Sequence, residues 1–223
     1  MMLDANKILD EAQKITGLSY LGNPLFAEGF NQLIYSINHE ADLNEIGIQA
    51  QHHRLIGVLS NMLRIEDAII KNPEILDEQI IAPIVIVGLP RTGSTMTHRL
   101  LAADPRHTAM LWWEGRYPAM LPNEDRGHPS ERMNLGKAEV DAVVAASPDA
   151  LTIHPWDYKG ADEEILLLEH TFFSTVPESF MRLPSYSSWV EEQDHIHAYK
   201  QLKIMLQYLQ WQNPGREKKR WVL

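Results

Sequence analysis

The sequence predicts an α/β fold: a parallel sheet flanked by helices, behind a helical N-terminal extension. Three observations predict it. The β-branched run Ile84-Val85-Ile86-Val87 stops at Gly88, crosses a short loop and enters a stretch of helical spacing, in the order strand, turn, helix. Two more short apolar runs, 108–112 and 220–223, are separated by long helical segments, as parallel strands joined by crossovers require. Residues 1–80 carry apolar positions at helical intervals only.

In chain order, Ile8, Ala12 and Ile15 mark a short amphipathic helix over 4–15, ended by Gly17. Asn23-Pro24 marks a turn, and Leu25, Phe26, Phe30, Leu33, Ile34 and Ile37 a helix over 25–38. Residues 44–71 read as a long helix with a weak point at Gly57, closed by Asn72-Pro73. Residues 74–80 form a short helix or turn. The extension thus spans 1–80 and the α/β part 81–223. There, strand 84–87 is expected to be buried, followed by helix 94–103 and a second strand over 108–112. Prolines and glycines make 115–129 and 148–160 loops. Residues 130–146, 163–173 and 186–212 read as helices, the last broken by Asn213-Pro214-Gly215 before strand 220–223.

Composition narrows the class. The chain has 223 residues, 44% of them hydrophobic, and a net charge of −10. That balance argues against general nucleic-acid binding, which needs a basic footprint. The single basic run, Arg216-Glu-Lys-Lys-Arg220, reads as a solvated turn. No run of eighteen apolar residues is present, so no transmembrane helix is expected. The absence of cysteine excludes a disulfide framework and suits a cytoplasmic setting. No cluster has metal-ligand spacing, and no G-x-S-x-G elbow suggests a serine hydrolase.

The chemistry concentrates in 83–96. Gly88-x4-Gly93 has the glycine spacing of a nucleotide-binding P-loop, which makes the expected sheet P-loop-like. Ser94, however, stands where that loop needs its lysine, and a cation lies three residues earlier, at Arg91. Backbone N–H groups at the start of helix 94–103 would favour an anion. A nucleotide kinase-like phosphoryl transferase is the first alternative, disfavoured by Ser94. A catalytically silent α/β binding module is the second.

Pro90-Arg91-Thr92-Gly93-Ser94-Thr95 resembles the 5′-phosphosulfate loop of sulfotransferases that use 3′-phosphoadenosine 5′-phosphosulfate (PAPS). Leu100 to Pro105, Trp113-Glu114, Glu163-Glu164, Glu169-His170 and Pro184-Ser185-Tyr186 resemble landmarks of a bacterial branch of that family. The resemblance implies transfer of a sulfuryl group from PAPS, as co-substrate and without a metal, to a hydroxyl or amine of a small-molecule or lipid-like acceptor. It implies that Arg91, Thr92, Gly93, Ser94 and Thr95 bind the donor, with Arg91 also catalytic at the leaving group and the Ser94 and Thr95 hydroxyls adding donors. It suggests Glu114, after the second strand, as the base that activates the acceptor; His170 and His154 are the alternatives. Arg99 reads first as a solvated helix residue, with an approach to the donor as the alternative. The family's strand 220–223 leads into residues that hold the 3′-phosphate, which are expected beyond Leu223. The chain therefore reads as a fragment whose last strand buries little.

Overall fold

The computed structural model describes residues 2–223 except Asn23 and Pro90, and at Ile153 the backbone alone. The chain forms two compact units. The first joins Met1–Asn72 to Leu167–Leu202, and the second joins Pro73–Leu166 to Lys203–Leu223. Residues 167–202, which the sequence groups with the α/β part, thus pack with the N-terminal helices.

The first unit is built on helices α1 (Ala5–Thr16), α2 (Phe26–Glu40) and α3 (Glu45–Lys71). The Asp4 carboxylate caps α1 by accepting from the amides of Asn6 and Lys7, and Gly17 ends the helix at φ 69°. Apolar stripes from the three helices meet in one core with Phe172, Tyr186 and Val190. Helix α3 runs unbroken through Gly57. Inside this unit the Arg54 guanidinium holds the buried Glu169 carboxylate through two bonds of 2.6 and 2.8 Å.

Two glycines of this unit make opposite predictions. A Cβ at Gly57 would meet nothing within 4 Å, whereas one at Gly29 would run into the Phe172 carbonyl oxygen. Gly57→Ala is therefore expected to raise stability by about 0.5–1 kcal/mol, the ordinary gain from alanine inside a helix. Gly29→Ala should lower it instead. Urea unfolding of both variants checks the contrast, and equal gains would contradict this packing.

The second unit holds the sheet. Strands β1 (His107–Thr108) and β2 (Arg220–Trp221) pair in parallel, and Ile84 bridges Val222 in parallel on the other side of β2. Ladder bonds run from the Ile84 and Ile86 amides to the Trp221 and Leu223 carbonyls, at 2.8 Å each. The C-terminal strand therefore lies between the other two, as the topology rule for a crossover allows. Trp221 is fully buried, its indole N–H donating 3.0 Å to Gln210 Oε1. The expectation that this end buries little is corrected: β2 has a neighbour on each side, and Trp221 and Val222 are buried.

Three expectations about elements are corrected as well. Strand 84–87 is not buried: Val85 is 57% and Val87 90% exposed, because among the described residues nothing covers their face. The strand expected over 108–112 stops at Thr108. Met110 to Trp112 pair instead with 160–162 through an antiparallel bridge, Leu111 to Ala161, and helix α5 (Trp112–Arg116) begins at once. The helix expected over 186–212 is two helices. The first stops at Glu191, and the Asp194 carboxylate takes the Ile196 amide at 2.9 Å to start the second.

Helix α4 (Ser94–Ala102) follows the loop that begins at Gly88, and α6 (Ser130–Ala146) packs on α5. Short helices α7 (Ala150–Ile153) and α8 (Ile165–Leu168) flank the segment 154–164. Helix α8 passes into a 3-10 turn, and Phe172 ends it in the left-handed region, φ 58°, short of the expected helix end. Helices α9 (Pro184–Glu191) and α10 (Ile196–Gln212) complete the chain.

Candidate active site

The site is assembled where the segment 84–89 meets α4. Arg91 and Gly93 both have positive φ, 67° and 91°. Alternating handedness of this kind curls successive backbone amides toward one concavity. The Thr92 hydroxyl donates to the Leu89 carbonyl at 2.6 Å, closing the loop on itself. Gly93 is the N-cap of α4, so no side chain caps the helix, and the helix start keeps its unsatisfied N–H groups. Pro90 lies outside the described residues.

An open cleft of about 480 Å³ lies against this helix start, lined by Arg91, Gly93, Ser94, Thr95, Met96, Arg99 and Pro155. Four of the five expected donor-binding residues are therefore together on one wall; Thr92 sits behind them as the brace. Arg99, expected to be a solvated helix residue, lines the same cleft. Its guanidinium is anchored to the carbonyls of Ala161 and Pro155 at 3.2 and 2.9 Å. The Thr95 hydroxyl donates 3.1 Å to Glu163 Oε1 instead of standing open to a ligand.

That bond brings in a residue which the sequence marked only as a family landmark. Glu163 and Glu164 line a second, smaller cavity of about 160 Å³ with Gly88, Ser94 and His98. Burial raises Glu164 above its ordinary pKa, with the neighbouring Glu163 charge pushing the same way. The folded protein therefore keeps the Glu164 proton to higher pH than the unfolded chain does. The associated stability is full below an ordinary glutamate pKa and is lost as pH rises through the folded value. Glu164→Gln, which cannot ionise, is expected to gain stability relative to the parent between about pH 4 and pH 8. Chemical denaturation at both pH values checks this, and a pH-independent difference would contradict it.

The structure does not bring Glu114 to the cleft. Its side chain is 1% exposed, and Arg216 donates to its Oε2 at 3.0 Å. The same oxygen accepts the Leu111 amide at 2.9 Å, and Asn213 approaches Oε1 at 3.4 Å. The carboxylate holds the start of α5 and the part-buried Arg216 guanidinium. His170 belongs to the first unit, buried, with Nε2 3.1 Å from Asn61 Nδ2 and Nδ1 3.3 Å from the Leu167 carbonyl. His154 pairs through Nε2 with Asp162 at 3.0 Å, next to Pro155 on the cleft wall. Among the described residues no three His, Cys, Asp or Glu side chains form a metal-sized group. No helix among them is long and apolar enough to cross a membrane.

A short parallel sheet within a mostly helical chain, with an uncapped helix start and an arginine on one cleft, defines a helix-rich α/β protein with a loop shaped for an anion. The chain belongs to the sulfotransferase family, whose model matches residues 83–211. It is similar to sulfotransferase STF1 from Mycobacterium tuberculosis H37Rv, with 29% identity and a TM-score of 0.83 over 100% of this chain and 60% of that one. It is also similar to sulfotransferase STF9 from Mycobacterium avium, with 26% identity and a TM-score of 0.81 over 98% of this chain and 56% of that one. The chain thus spans less than two thirds of either solved sulfotransferase. No curated protein matches it.

Proposed function

We propose that the protein transfers a sulfuryl group from PAPS to a hydroxyl or amine of a small-molecule or lipid-like acceptor. The observation that carries this reading is the uncapped start of α4, opening with Arg91, Gly93, Ser94 and Thr95 on one cleft. A side chain at Gly93 would be strained at its φ of 91°, so the backbone stays bare where an anion approaches. The residues fit a phosphosulfate. The donor supplies an activated sulfuryl group: its S–O bond to the phosphate breaks as one to the acceptor oxygen or nitrogen forms.

In this reading the N–H groups at the head of α4 hold the phosphosulfate. Arg91 offsets the charge that gathers on the departing phosphate oxygen. Glu163 takes the acceptor's proton at its carboxylate. Its Oε1 is bonded to Thr95 and so lies at the loop, and for a general base geometry ranks before pKa. The enclosure of Glu114 by Arg216 and the Leu111 amide supports a structural role for that residue instead. Ser94 in place of a P-loop lysine disfavours phosphoryl transfer from ATP.

The test is incubation of the chain with radiolabelled PAPS and a panel of alcohols and amines in EDTA. The expected result is labelled ester or sulfamate with equimolar adenosine 3′,5′-bisphosphate. Arg91→Ala should slow transfer by about 10²–10³-fold, the usual cost of losing one such stabilising group. Donor binding without transfer to any acceptor would favour the silent binding module. Transfer of phosphate from ATP would favour the kinase reading.

A further inference from the structure

The basic run 216–220 is a largely solvated turn, as expected, but two of its cations face a cleft. Arg216 and Lys219 line a cleft of about 510 Å³ in the second unit, together with Arg99, Lys159, His107 and Asp157 among others. Four cations and one carboxylate line it, with Arg216 already paired to Glu114, on a chain whose net charge is −10. A concave surface of reversed sign concentrates anions.

The cations are held in two ways. The guanidiniums are fixed. Arg99 is anchored to two backbone carbonyls, and Arg216 is held by Glu114 and lies 5.3 Å from the centre of the Trp221 ring. The ammonium groups stand nearer solvent: Lys159 is exposed, 5.4 Å from the centre of the Tyr158 ring, and Lys219 is half-buried. Asp157 turns its carboxylate to the Lys159 amide at 2.9 Å, and His107 donates to the Leu101 carbonyl near the end of α4 at 2.9 Å. Gly160 keeps the wall thin: a Cβ there would come within 2.9 Å of Arg99 Nη2. Fixed guanidiniums beside adaptable ammonium groups suit a tetrahedral oxyanion.

Arg99 lines this cleft and the loop cleft alike. We propose that the basic cleft binds a phosphate or sulfate monoester carried by the acceptor, whose hydroxyl enters the loop cleft. The acceptor class is then an anionic alcohol, such as a sugar phosphate. The proposal rests on the sulfotransferase reading, but its test needs no transfer.

Calorimetric titration of the 223-residue chain with glucose 6-phosphate, glucose and inorganic phosphate reads the site directly, with no donor present. Glucose 6-phosphate is expected to bind and glucose not to. Lys159→Ala with Lys219→Ala should weaken glucose 6-phosphate binding about tenfold or more, at roughly half a decade per lost surface charge. Affinity for adenosine 3′,5′-bisphosphate should be unchanged in the same double variant. Equal binding of glucose and glucose 6-phosphate, or an unaffected double variant, would overturn the proposal. Binding of inorganic phosphate alone would overturn it too, as the mark of a free-ion site. A parallel loss of bisphosphate affinity would assign the cations to the donor and overturn the acceptor assignment. None of these results depends on sulfuryl transfer, whose failure would appear separately in the radiolabel assay.

Discussion

Glu163→Gln is expected to slow sulfuryl transfer by about 10²–10⁴-fold, the usual contribution of a positioned general base. Glutamine keeps an oxygen where Glu163 Oε1 accepts the Thr95 hydroxyl at 3.1 Å, so the loop should hold its shape. What disappears is the capacity to take a proton. The loss should therefore fall on kcat, with affinity for adenosine 3′,5′-bisphosphate nearly unchanged. Steady-state kinetics beside calorimetry separates the two. Near-normal turnover would move the base to His154, whose Asp162 partner orients its ring beside the cleft wall.

Glu114→Ala is expected to act on stability. Arg216, 14% exposed at its side chain, would be left with a charge and no carboxylate. Breaking a buried pair from one side typically costs about 3–5 kcal/mol, because the remaining ion is desolvated and uncompensated. The Leu111 amide loses its acceptor as well. Adding Arg216→Met should recover part of the loss by removing the stranded charge. Urea unfolding at neutral pH checks the pair. A Glu114→Ala protein of parental stability and collapsed turnover would instead return Glu114 to the role of base.

Much of this was legible in local sequence. Helices α1 to α3 and α6 follow from apolar spacing and from stops such as Gly17 and Asn72. The loop and the start of α4 follow from Gly88, Gly93 and the Ser94-Thr95 pair. What was not legible depends on partners distant in the chain. Glu163 becomes a site candidate only through Thr95, 68 residues earlier, and no local pattern records that pairing. Glu114 reads as a base from sequence because its partner Arg216 lies 102 residues away. The break between α9 and α10 had a local signal, Asp194 before Ile196, which the surrounding helical spacing concealed.

In the proposed function the loop around Arg91 and the head of α4 recognises a phosphoadenosine donor without a metal. Calorimetric titration of the chain with adenosine 3′,5′-bisphosphate and with ATP, each in EDTA and in Mg²⁺, tests it most directly. The expected result is that the bisphosphate binds equally in EDTA and Mg²⁺, and that Arg91→Ala weakens it. Tighter binding of ATP that requires Mg²⁺ and ignores Arg91 would contradict the account.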